Sequence, residues 1–166
     1  TEAMVKIALK VKPDQVTLVP EKRQELTTEG GLECAKNLKR LKAVTHRLQK
    51  GGIVVSAFIT DDEKQIRASA AAGCEAIELH TGAYANAQTQ EQYSRCLQKL
   101  REGRDIAWDL GLAVHAGHGL NYRNIGPVAA IDGLEDFNIG HSIIARSVFV
   151  GIREATREMI ALIDKY

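Results

Sequence analysis

Strand-length segments of near-continuous hydrophobicity, each set off by an amphipathic helical pattern, constrain this chain more than any other feature. Residues 53–59 and 112–116 do not alternate apolar with polar as a half-exposed strand would, and residues 76–80 form a further strand pattern. A strand reads this way when it sits in a parallel sheet with helices packed over it. Residues 15–19 and 137–139 add two shorter strand patterns. Helical periods lie between and around them. Met4, Ile7, Ala8 and Val11 follow Thr1 as a candidate N-cap, and Leu32, Ala35, Leu38, Leu41, Val44 and Leu48 keep the same spacing. Further helices are predicted over residues 61–72 with Asp61 as cap, then 89–110, 124–131, 142–150 and 153–163. Gly51-Gly52, Gly73 and Gly111 end three of these patterns.

Alternating strands and helices admit two architectures, a doubly wound open sheet and part of a (β/α)8 barrel, both with their chemistry at the carboxyl ends of the strands. Polar residues decide between them. Glu78 and His80 share one side of their strand, while Ile77 and Leu79 take the other. Thr17 with Glu21, Ser56 with Thr60, and Asn138 with Gly140 repeat the pattern. A barrel lumen accepts such groups near its mouth, and a helix-covered face does not. The expected fold is therefore an α/β TIM barrel in one domain spanning 1–166, with no linker or low-complexity tract to divide it. A whole barrel takes eight units and about 250 residues. Five units here correspond to strands four to eight, and the helix pattern at Thr1 leads to the expectation that strands one to three lie upstream. Alone, the piece would expose a strand edge and self-associate.

Charge and composition narrow the function. Lys and Arg number 22 against 21 Asp and Glu, a net charge of +1, without the basic stripe of a nucleic-acid binder. No apolar run reaches membrane-spanning length. Cys34, Cys74 and Cys96 have no Cys-x-x-Cys spacing and read as small buried hydrophobes in a reducing cytoplasm.

Chemistry concentrates at two strand ends, Ala113-Val114-His115-Ala116-Gly117-His118-Gly119-Leu120 and Asn138-Ile139-Gly140-His141-Ser142-Ile143-Ile144. Imidazoles move protons near neutral pH, and glycines let backbone N–H groups approach an anion at a helix start. The pair reads as a phosphate-binding catalytic rim. Glu78, in mid-strand between isoleucine and leucine, is costly to bury unless it is paired or titrates; its structural alternative is a lumen ion pair. A metal site of His115, His118, His141 and Glu78 is disfavoured by the i, i+3 spacing across a glycine turn. A charged strand end such as Glu21-Lys22-Arg23 and the helix-borne His46 read as solvated surface.

Four stretches resemble the pyridoxine 5′-phosphate synthase family along the whole chain: Leu18-Val19-Pro20-Glu21-Lys22-Arg23-Gln24-Glu25-Leu26-Thr27-Thr28-Glu29-Gly30-Gly31, Ile77-Glu78-Leu79-His80-Thr81-Gly82, Ala116-Gly117-His118-Gly119-Leu120 and Asn138-Ile139-Gly140-His141. The first is the most specific. The resemblance implies condensation of 1-deoxy-D-xylulose 5-phosphate with 3-amino-2-oxopropyl phosphate, closing the pyridine ring of vitamin B6 with release of phosphate and water. It implies no metal or organic cofactor, small phosphorylated substrates as the partners, and a homo-oligomer for the full-length protein. By the same resemblance His118 is the proton donor and Glu78 the carboxylate that stabilises charged intermediates. Gly119, Gly140 and His141 then hold the aminoketone phosphate, and Thr27 contacts the deoxyxylulose phosphate in a loop suited to act as a lid. His80 receives no catalytic role, and His115 stands where many relatives carry asparagine. The family's Asn-x-Asp-His cluster, His-x-Arg pair and glutamate base have no counterpart in these residues, so part of the active site is expected to be missing and the piece inactive alone. Rival readings are another phosphosugar barrel enzyme or a non-catalytic phosphometabolite binder.

Overall fold

The computed structural model describes residues 1–20 and 30–166. Among them five strands form one parallel sheet in sequence order: β1 (Gln15–Leu18), β2 (Val54–Ile59), β3 (Ala76–His80), β4 (Ala113–Gly117) and β5 (Asp136–Asn138). Each crossover carries helix. α1 (Glu2–Val11) precedes β1, and α2 (Leu38–Lys50), α3 (Glu63–Ala71), α4 (Gly82–Ala85) with α5 (Gln90–Asp109), and α6 (Ile125–Ala129) follow strands one to four. α7 (His141–Val150) and α8 (Ile152–Ile163) close the chain. Strand order equal to chain order gives a curled half-barrel, with no reversal of the kind a doubly wound sheet requires.

Register separates the two faces. Thr17, Ser56, Ala76 and Ala113 occupy one row, and Phe58, Glu78, His115 and Asp136 occupy the next. His80, Gly117 and Asn138 make a third row on that same face. The alternate residues Val55, Ala57, Ile59, Ile77, Leu79, Val114 and Ala116 are fully buried or nearly so, packed under helices with Leu48, Ile66, Leu100 and Ala107. Side chains alternate across a strand with a period of two, so the pattern Ile77-Glu78-Leu79-His80 places core and polar groups on opposite faces by geometry alone.

Local differences from the predicted elements have identifiable causes. The helix expected from residue 32 begins only at Leu38. Leu32 donates its N–H to the Phe58 carbonyl at 2.7 Å and Ala35 donates to the Gln65 side chain, so residues 32–35 are held by the sheet and α3. Asp62, not Asp61, caps α3, accepting from the Lys64 N–H at 3.0 Å. The Thr1 cap is present, accepting from the Met4 N–H. α4 has no periodicity to announce it in only four residues.

Candidate active site

Glu78, His118, Gly119, Gly140 and His141 line one cavity of about 560 Å³ at the carboxyl ends of β3, β4 and β5, together with Phe58, Asn138 and Ser142. Thr27, Glu21, Lys22 and Arg23 lie outside the described residues. At this end β3 and β5 run within three residues into α4 and α7, and β4 runs into a tight turn. After β4, His118 has φ 82° and Gly119 φ 79°. A positive φ at a side-chain-bearing residue costs about 1–3 kcal/mol and persists only where its surroundings hold it. Thr81 supplies that hold. Its N–H donates to the Gly117 carbonyl at 2.8 Å, and its hydroxyl reaches the Gly117 and His118 carbonyls at 2.7 and 2.6 Å. The result points the imidazole at the cavity rather than along the strand.

Across the cavity, Gly140 caps α7 without a side-chain acceptor, and His141 opens the helix. The first N–H groups of a helix have no intrahelical partner, and together with the helix dipole they favour an anion. Two glycines, a helix start and two imidazoles therefore face one space.

Glu78 forms the floor. It is 9% exposed, and burial raises its pKa to about 7 despite a hydrogen bond from Asn138 that opposes the rise. A carboxyl with that value holds its proton for part of the time at neutral pH, the condition under which an acid/base group works best. No basic residue contributes to the shift, so the alternative of a lumen ion pair finds no partner among the described residues. Gly117 makes the arrangement possible. A Cβ there would collide with the Glu78 carboxylate and approach Asn138 Cβ to 3.0 Å.

This burial sets a pH dependence of folding. With a pKa near 4.5 unfolded and about 7 folded, Glu78 binds more protons in the folded state between those values. Stability is therefore greatest at low pH with respect to this group and falls as pH rises toward 7. Glu78→Gln removes the ionisation. The variant is expected to exceed the parent by about 2 kcal/mol at pH 8 and to match it near pH 4. Urea unfolding at the two pH values checks this, and an equal difference at both refutes it.

His115 sits one strand over on the Glu78 row, 4% exposed, with Nε2 3.6 Å from an Asp136 oxygen. That separation is beyond hydrogen-bond length. Its Nδ1 has no partner among the described residues. Likewise, no cluster of three or more His, Cys, Asp or Glu side chains suited to a metal occurs among the described residues. Gly117 and Asn138 fall within the two strand ends read as the rim, but their contacts with Glu78, and the hold of Thr81 on the turn, depend on cross-strand register.

A family model described as "Pyridoxal phosphate biosynthesis protein PdxJ" matches residues 1–165. The chain belongs to the PdxJ family. It is 52% identical over 163 residues to a pyridoxine 5′-phosphate synthase of Pelobacter propionicus, covering 98% of this chain and 68% of that protein. The synthase of Crocosphaera subtropica is 55% identical over 159 residues, covering 96% of this chain and 66% of the relative. This PdxJ chain thus spans about two thirds of the length of the curated relatives it matches. Among solved structures, a xylose isomerase domain protein of Planctomyces limnophilus superposes with TM-score 0.54 at 16% identity, over 93% of this chain and 65% of that one. D-psicose 3-epimerase gives TM-score 0.52 at 14% identity, over 81% and 55%. At such identities the likeness concerns the fold alone. No helix among the described residues of this PdxJ chain is long and apolar enough to cross a membrane.

Proposed function

We propose that this PdxJ chain carries the strand-four-to-eight part of a TIM-barrel pyridoxine 5′-phosphate synthase, which joins 3-amino-2-oxopropyl phosphate to 1-deoxy-D-xylulose 5-phosphate and releases phosphate and water. The observation that carries the reading is the single cavity in which His118, Glu78 and the Gly140–His141 helix start face one another. Membership of the PdxJ family and the names of its relatives support pyridoxine 5′-phosphate synthesis, and the particular condensation is what the resemblance of the four stretches implies.

Each residue has a task that its surroundings suit. Gly119, Gly140 and His141 hold the phosphate of the aminoketone at the α7 N-terminus. His118, fixed by its strained turn, delivers protons to leaving oxygens during imine formation and elimination. Glu78, with its pKa about 7, stabilises cationic nitrogen when ionised and returns a proton when neutral. Thr27 lies outside the described residues, and its assignment to the deoxyxylulose phosphate rests on the sequence resemblance alone. The chemistry needs acid/base groups and anion sites, and the proposal includes no metal or organic cofactor. The family's Asn-x-Asp-His cluster, His-x-Arg pair and glutamate base have no counterpart in these 166 residues, which cover 68% of the Pelobacter propionicus relative, so we expect them to be inactive alone.

Cytoplasmic location and a homo-oligomer complete the reading. Val148 and Phe149 of α7 stand 79% and 82% exposed, apolar surface of the kind that subunit contacts cover. The test is to supply both phosphorylated substrates to the protein carrying these residues and follow pyridoxine 5′-phosphate and inorganic phosphate together. Equal molar release of the two supports the synthase. Phosphate release without the ring product overturns it.

A further inference from the structure

We propose that His80 is a positioning residue, the wall against which the His118 imidazole is held at the cavity edge. The proposal rests on the synthase reading for what His118 does, and on geometry for how it is held. The two rings lie 4.7 Å apart between centroids with planes 38° from parallel. Phe58, from β2, meets His80 edge-on at 5.2 Å and 89°, and lies 6.4 Å from His118. Three rings, from β2, β3 and the turn after β4, thus form one cluster in which His80 contacts both others. His80 does not line the cavity, whereas Phe58 and His118 do. It therefore acts through its neighbour and touches no substrate.

Gly82 is built around this pair. A Cβ at that position would come within 2.6 Å of His80 Cε1, 2.8 Å of His80 Nε2 and 3.2 Å of His118 Cδ2. The backbone of α4 consequently closes directly over the His80 ring edge. Nε2 is buried there with no hydrogen-bond partner among the described residues. Enclosure of Nε2 without an acceptor disfavours the protonated ring, and burial, followed by the nearby His118, lowers the His80 pKa. The other titratable side chain on this face of β3 is Glu78, whose burial favours its neutral form. β2 presents the uncharged Phe58, and α4 presents only Gly82. A ring that resists protonation places no second positive charge beside His118, the proposed proton donor. A second cation in its place would oppose protonation of the donor.

Two variants test this. His80→Ala removes the wall, and His80→Phe restores a ring without restoring either nitrogen. In the protein carrying these residues, the alanine variant is expected to lose ~10- to 100-fold in kcat with KM for each substrate within about twofold. The phenylalanine variant is expected to recover to within about threefold of the parent. A fall in both variants alike, an unchanged kcat in His80→Ala, or an effect confined to KM overturns the proposal. A second arm needs no turnover: histidine-labelled NMR should give ring-to-ring contacts of His118 with Phe58 that persist in His80→Phe and vanish in His80→Ala. Persistence of those contacts in His80→Ala overturns the positioning role. Absence of ring product from the parent protein overturns the synthase reading instead, and the NMR arm then decides His80 by itself.

Discussion

Replacing His118 with alanine is expected to lower the rate of ring closure by about 10²- to 10⁴-fold, the range that positioned general acids contribute. Phosphate affinity should change little, because Gly119, Gly140 and the α7 N-terminus present backbone groups that the substitution leaves in place. The backbone makes the experiment clean in another respect. At φ 82° alanine bears the same Cβ penalty as histidine, so the turn keeps its strain and the fold its balance. His118→Asn sharpens the test. Asparagine tolerates positive φ better than most residues and donates hydrogen bonds, yet cannot shuttle a proton. It should be at least as stable as the parent and as inactive as the alanine variant. Turnover within about tenfold of the parent in either variant removes His118 from proton transfer, and isothermal titration with inorganic phosphate separates that result from loss of the site.

Gly117→Ala is the second large expectation. Its φ lies outside the left-handed region, so the cost is one of space. The new methyl would overlap the Glu78 carboxylate and press on Asn138 Cβ and the Asn138 carbonyl at 3.0 and 3.1 Å. The carbonyl belongs to the β4–β5 pairing and yields little. Glu78 must therefore swing away from its Asn138 hydrogen bond. Overpacking of this kind costs about 1–3 kcal/mol, and a displaced carboxyl is expected to lower kcat ~100-fold. Combining Gly117→Ala with Glu78→Ala should recover part of the lost stability, since the overlapping atoms are gone, and none of the activity. Urea unfolding of the parent, both single variants and the double variant measures this coupling. Additive losses would mean that the two side chains do not compete for the same space.

The parallel sheet was legible because its signal is local and repeated. Residues 53–59 and 112–116 each announce a doubly covered strand without reference to the other. The inward placement of Glu78 and His80 was legible for the same reason, through strict alternation with Ile77 and Leu79. Boundaries fared worse where tertiary bonds overrode periodicity, as at Leu32 and Ala35, tied to β2 and α3. Contacts between strands were invisible in one dimension. Nothing in the sequence places Asn138 on Glu78, Gly117 beneath both, or Gly82 over the His80 edge. The strain at His118 was equally hidden. A Gly-His-Gly stretch suggests turn freedom at the glycines, and the histidine itself takes a positive φ.

In β3 the odd-numbered Ile77 and Leu79 are buried under helices, and the even-numbered Glu78 and His80 stand on the opposite, polar face. Substitutions at Ile77 and Leu79 act on packing beneath the helices, and those at Glu78 and His80 act on the polar face, where Glu78 also makes stability depend on pH. Length changes act on both faces at once. Deleting a single residue before Glu78 would exchange the two sets, turning acid and imidazole under α5 and greasy side chains toward the solvent-filled mouth. A substitution in this strand therefore alters one face, and an insertion or deletion alters both.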